Sequence, residues 1–198
     1  MRLLSLLITL ALSAEGTELT GSVRLATNPV THAIVYLGAG NGRVAVTNVV
    51  LEVRDGVLQP HVQVARQGST LVLCNTDPTL HVMRVDALNA TNTGTRLLTQ
   101  AMPYAGFLKA FGLDGFRDTT LLRVTGGNGE EMSAYIAVLP HPWAALTDAN
   151  GRFVLNGVPA GTYKLYVWHE TLGTLVREVK VPATVDLEFT STAPKRAD

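Results

Sequence analysis

Residues 147–165 read Thr147-Asp148-Ala149-Asn150-Gly151-Arg152-Phe153-Val154-Leu155-Asn156-Gly157-Val158-Pro159-Ala160-Gly161-Thr162-Tyr163-Lys164-Leu165, and the fold is read outward from them. Asp148 and Asn150-Gly151 make a tight turn, because Asp and Asn bond to nearby backbone and Gly tolerates a positive φ. Phe153 and Leu155 then alternate with more polar neighbours, as in a strand with one face in a core. Pro159-Ala160-Gly161 turns the chain again, so that Tyr163 returns to the same core.

The same texture recurs elsewhere. Apolar and polar residues alternate in Leu19–Leu25, Leu51–Arg54, Val62–Val64 and Tyr163–Val167. Turn signals punctuate the chain at Asn28-Pro29, Asp55-Gly56, Gln67-Gly68, Asp77-Pro78 and Asn156-Gly157. Short strands between frequent turns predict an all-β sandwich architecture. Residues 100–113 accommodate either a turn of helix or a strand hairpin, given Pro103 and Gly106.

Of the 198 residues, 46% are hydrophobic and 16% charged, so a sizeable core is available. Sixteen basic residues balance sixteen acidic ones. That removes the basic footprint of a nucleic-acid binder and the polybasic patch of a membrane-surface protein. A single cysteine excludes an internal disulfide and a cysteine-rich zinc site. Met1-Arg2, the apolar run Leu3–Leu12 and the small pair Ser13-Ala14 follow the plan of a secretory signal peptide, residues 1–14. The alternative is a buried first strand or helix. The run is too short to span a bilayer and no later segment is long enough, so no transmembrane anchor is expected. Residues 191–198 form a polar tail.

The stretch 147–165 resembles the carboxypeptidase regulatory-like (transthyretin- or prealbumin-like) sandwich, marked by T-D-x-x-G-x-F and then P-x-G-x-Y. That family opens with G-x-V, a turn with Pro, and A-x-V-x-L. Here those letters stand far upstream, at Gly21-Ser22-Val23, Asn28-Pro29 and Ala33-Ile34-Val35-Tyr36-Leu37. The resemblance therefore implies a split sandwich of residues 17–38 and 143–190 with a second domain inserted. Alternatively, residues 17–38 begin that second domain.

The middle part, residues 45–142, resembles exported plastocyanin-like (cupredoxin) domains, whose fold is a Greek-key β-sandwich. The matching letters are Leu58-Gln59-Pro60-His61-Val62, Gly68–Leu73, Asn75-Thr76-Asp77-Pro78-Thr79-Leu80-His81-Val82 and the closing strand Met132–Val138. Type 1 copper needs two imidazoles and a thiolate, with a weak axial thioether. The resemblance puts the first imidazole at His81 and the thioether at Met132, whereas the thiolate falls on Gly126 and the second imidazole on Gly129. Two glycines have no side-chain donors, so no cofactor is expected. A weaker copper site from His81 and Met132, helped by His61 or Cys74, is the alternative. Cys74 alternates away from the core-facing Leu71 and Leu73 and reads as a small thiol without function. His141, between Pro140 and Pro142, shapes an interdomain bend; His32 reads as a turn residue, and His169, beside Trp168 and Glu170, as a hydrogen-bonding group at the domain junction. The Gly126–Gly129 loop lacks the Lys-Ser/Thr of a phosphate loop and the spaced carboxylates of a calcium loop. No catalytic constellation is found. The expectation is a non-enzymatic binding or structural module of the cell envelope, periplasmic or secreted, with a protein or polysaccharide partner.

Overall fold

The computed structural model describes residues 17–40, 45–89, 93–127 and 132–190. The expected signal peptide and polar tail lie outside them. Among the described residues the secondary structure is all strand. The first three strands are β1 (Thr17–Leu25), β2 (Asn28–Pro29) and β3 (Ile34–Leu37). The middle begins with β4 (Val49–Arg54), β5 (Val57–Gln59), β6 (Val62–Arg66), β7 (Thr70–Asn75) and β8 (His81–Leu88). It continues with β9 (Gly94–Met102), β10 (Phe107–Gly112), β11 (Thr120–Gly126) and β12 (Met132–Leu139). The last are β13 (Ala144–Leu146), β14 (Arg152–Val158), β15 (Gly161–His169), β16 (Gly173–Val181) and β17 (Ala183–Phe189).

These strands make four sheets. Sheet I runs β14-β1-β17, with β2 folded onto β1, and sheet II runs β13-β3-β15-β16. The first and last parts of the chain are thus strand neighbours: β1 is antiparallel to β14 and parallel to β17, and β3 lies between β13 and β15. Sheet III runs β6-β12-β11-β8-β9, and sheet IV runs β10-β7-β4-β5. β9 and β10 join different sheets, so residues 100–113 are neither helix nor hairpin but a corner between two layers.

Side-chain alternation explains why the layers stack in the order I, II, III, IV. Val35 and Leu37 of β3 face the core shared with sheet I, while Ile34 and Tyr36 face the other way. On β12, Ile136 and Val138 face sheet IV, while Ala137 and Leu139 face back toward sheet II. The two outward faces meet in a third core, where Ile34, Tyr36 and Trp168 pack with Val62, Ala137 and Leu139. A strand covered on both faces loses its polar alternation. That accounts for the unbroken apolar runs Ile34-Val35-Tyr36-Leu37 and Ile136-Ala137-Val138-Leu139.

The stretch 147–165 clamps the N-terminal strands. The Asp148 carboxylate accepts the Asn150 and Arg152 amides, both at 2.8 Å. Gly151, at φ 73°, brings its carbonyl to the Val23 amide at 2.8 Å; a Cβ there would lie 2.5 Å from the Val23 oxygen. Buried Thr147 donates its hydroxyl to the Val30 carbonyl and accepts the Ala33 amide, bridging the turn that leads into β3. Phe153 and Leu155 are buried, and Tyr163 packs against the same core.

Candidate functional site

The region around His81 is built from two turns held by one carboxylate. β4 and β5 are joined by Asp55-Gly56, with φ values of 52° and 73°. Two successive positive φ angles are what a two-residue hairpin turn requires, and Asp-Gly supplies them at low cost. Across from it, β7 ends at fully buried Asn75, whose side-chain amide donates to the Thr79 and Met102 carbonyls and whose oxygen accepts the Asp77 amide. This aims Asp77 at the hairpin. Its Oδ1 accepts the Asp55 amide at 2.7 Å and its Oδ2 the Gly56 amide at 2.9 Å. His81 Nε2 lies 2.9 Å from the same Oδ2, and a carboxylate oxygen only accepts, so Nε2 donates. The Gly56 amide, then the Asp55 amide and His81, hold the Asp77 carboxyl below its ordinary value against the opposing pull of burial.

Asp77→Ala should release the hairpin turn and His81 together. Removing charge-assisted bonds of this kind costs about 2 kcal/mol, read as an earlier urea midpoint with an unchanged slope. Because the folded value is depressed, Asp77's contribution is present above the unfolded carboxyl value of 3.8 and is lost as pH falls through the lower folded value. A midpoint equal to wild type at neutral pH would contradict this.

Met132 opens β12 with its side chain in the core between sheets III and IV. Its register neighbour is Gly126, which pairs on the other side with Met83. A Cβ on Gly126 would lie 2.2 Å from the Met132 sulfur and 3.1 Å from the Met83 sulfur. Two thioethers therefore fill the space above the glycine, and a larger residue at 126 would displace them. Gly129 lies outside the described residues.

His61 stands apart from His81 and Met132. It sits between β5 and β6, with Nδ1 2.9 Å from the Ser133 carbonyl and Nε2 2.9 Å from Glu170 Oε2. Glu170 follows β15, so this contact ties sheet III to sheet II beside the third core, and the Tyr135 ring stands edge-on to the imidazole. Cys74 lies on the solvent side of sheet IV, opposite the core-facing Leu71 and Leu73. Burial raises its thiol above the ordinary value, Glu52 adding to this and Arg54 opposing it. His32 sits in the turn before β3 at φ 56°. His169 Nδ1 is 3.3 Å from the Thr171 amide, which donates to it.

The chain matches no family model and no curated protein.

Among the described residues, no three His, Cys, Asp or Glu side chains are placed to hold a metal ion. The imidazole of His61 faces the junction, the thiol of Cys74 faces solvent, and Gly126 offers no donor. The described residues thus do not fit a thiolate-bis-imidazole copper centre. Two contributors escaped the sequence reading: Glu170 as the partner of His61, which is 109 residues away, and Asp77 as the group that holds His81. The second was legible in outline, since Asn75-x-Asp77-Pro78 is a local turn pattern.

Proposed function

We propose that this chain is an exported, non-enzymatic binding or structural module of the cell envelope, a cupredoxin-like sandwich inserted in a carboxypeptidase regulatory-like one. One observation carries the reading: the side chains that would serve chemistry are used to hold the fold together. His81 fastens the loop after β7 to Asp77, His61 fastens sheet III to Glu170, and Met132 fills the core over Gly126. A scaffold that keeps its shape and spends its donors internally suits holding a protein or polysaccharide. Among the described residues no helix is long and apolar enough to cross a membrane.

A second reading, weak copper handling at His81 and Met132, has one observation in its favour. With Nε2 donating to Asp77, His81 keeps the Nδ1 lone pair, the carboxylate-oriented arrangement common among metal-binding histidines. The thioethers of Met83 and Met132 are soft donors of the kind that select Cu(I). Titrating the protein with Cu(I) and Cu(II) separates the two readings. The module reading expects no binding tighter than micromolar and no site-dependent change in melting temperature. Tight binding that disappears in the His81→Ala, Met132→Ala double variant would overturn it.

A further inference from the structure

The chain crosses between the pair of sheets I and II and the pair III and IV on leaving β3 and again on returning from β12, and the described start of the first crossing, residues 38–40, lies beside the second. Leaving β3 it runs through Gly38 and Gly40; returning from β12 it runs through Pro140-His141-Pro142 to Trp143. A Cβ on Gly40 would sit 1.9 Å from the Trp143 ring, so the outgoing backbone rests on the indole of the returning one. The Leu37 amide donates to the Trp143 carbonyl at 3.2 Å. Arg66, at the end of β6, fastens the return passage by donating Nη1 to the His141 carbonyl at 3.0 Å and Nη2 to the Pro142 carbonyl at 2.8 Å.

His141 is sealed inside this crossing. The residue is 0% exposed, its ring stacks on Trp143 at 5.7 Å and 28°, and neither ring nitrogen makes a hydrogen bond of normal geometry, although the Leu37 backbone and the residue's own backbone lie near enough to favour a proton. A neutral imidazole tolerates such a site at the cost of its missing hydrogen bonds. An imidazolium there would be a buried charge without a counter-ion, which is far more costly. The charged group whose field reaches it, Arg66, has the same sign. Toward β3 the ring meets the Leu37 backbone, and beyond Trp143 stands the phenol of Tyr163, with Nε1 of the indole bonded to the Gly157 carbonyl.

We propose that His141 is an acid-responsive hinge, which clamps the two passages together while neutral and releases them on protonation, so that the two sheet pairs, then held by the third core and the His61–Glu170 contact alone, loosen in relative orientation while each stays intact. Burial foremost holds the imidazole below the ordinary 6.5 and Arg66 adds to this, while the Leu37 backbone and the residue's own backbone, as hydrogen-bond acceptors, oppose it. For a histidine with a lowered folded value, the unfolded or released state binds the proton more readily. The clamp is therefore at full strength above about pH 6.5 and weakens as pH falls below it.

The test uses the whole chain with Cys74→Ser and spin labels on Ala110→Cys of β10 and Glu178→Cys of β16, both exposed positions. Label separation, strand circular dichroism and the His141 ring resonance are followed from about pH 7.5 to about pH 5, a span that brackets the ordinary imidazole value. The expected result is a shifted and broadened distance distribution that follows His141 protonation, with a midpoint below 6.5 and the strand signal intact. His141→Phe should abolish the shift. Should that variant not fold, Arg66→Gln serves instead: with the like charge removed, the midpoint should move to higher pH. A separation that stays constant while the ring titrates overturns the proposal. So does a shift that survives in His141→Phe, a midpoint that Arg66→Gln leaves in place, or loss of the strand signal together with the distance change.

Discussion

Trp168→Ala should cost about 3–5 kcal/mol and should divide a single unfolding transition into two. Trp168 is 1% exposed and is the largest of the fully buried side chains. It projects from β15 into the third core, among Ile34, Tyr36, Val62, Ala137 and Leu139, and its ring tilts against Tyr135 at 5.0 Å and 54°. Its indole nitrogen has no hydrogen-bond partner, so what the residue contributes is contact and buried area. Truncation would leave a void between sheets II and III while the two outer cores keep their own contacts. Coupling between the halves would then fall more than the stability of either. Urea unfolding followed by circular dichroism and by emission of the remaining Trp143 reads both effects. Coincident curves displaced by less than about 0.5 kcal/mol, the scale of an ordinary surface change, would show that the third core does not join the halves.

Gly21→Val should be comparably severe for a different reason. β1 is the central strand of sheet I, and Gly21 pairs with Phe153 on one side and Val185 on the other. A Cβ at Gly21 would lie 2.2 Å from the Val185 carbonyl oxygen and 2.8 Å from the Phe153 ring. The ring has some freedom to move; the carbonyl belongs to the backbone of β17 and has much less. Relief therefore demands a shift of the parallel β1–β17 pair. Overpacking costs of about 1–3 kcal/mol are exceeded where backbone must give way, so a loss of about 3 kcal/mol or more is expected. Hydrogen exchange locates it: amides of residues 183–189 should lose protection while those of β7, β8, β11 and β12 keep theirs. Unchanged protection in β17 would refute the argument.

Where one strand face meets a core, the fold was legible residue by residue. Phe153 and Leu155 are buried as their alternation requires, and Leu71 and Leu73 point inward while Cys74 does not. Alternation says which residues of a strand share a face but not what lies beyond that face. The third core therefore went unread: Ile34 and Tyr36 look like the outer side of a sheet until a second apolar face, that of Ala137 and Leu139, is set against them. Partner choice was equally hidden at residues 100–113, where Pro103 and Gly106 mark a turn but nothing local says that β9 and β10 join different sheets. At the candidate site, His81 was marked by the resemblance to the plastocyanin-like motif, whereas its bond to Asp77 was legible in outline alone, from the local turn pattern Asn75-x-Asp77-Pro78. The engagement of His61 by Glu170, by contrast, depends on packing between layers. The Met83–Gly126–Met132 arrangement belongs to the same class, since it exists only once β8, β11 and β12 are in register.

The side-by-side alignment of β1 and β17 also constrains the order of assembly. Ser22 donates its hydroxyl to Asp186, 164 residues later, and the ladder continues to Leu25 and Phe189. Contacts this distant in sequence form slowly, because a long loop must close before they give anything back. During synthesis β1, paired with no more than the short β2, has to wait for β14 and then β17, both far downstream. Meanwhile the intervening strands β4 to β12 have all their sheet partners to hand. Nascent chain would thus mature from β4–β12 outward, and for the whole of that interval the open edges of β1 stay available to whatever holds unfolded polypeptide in the cell.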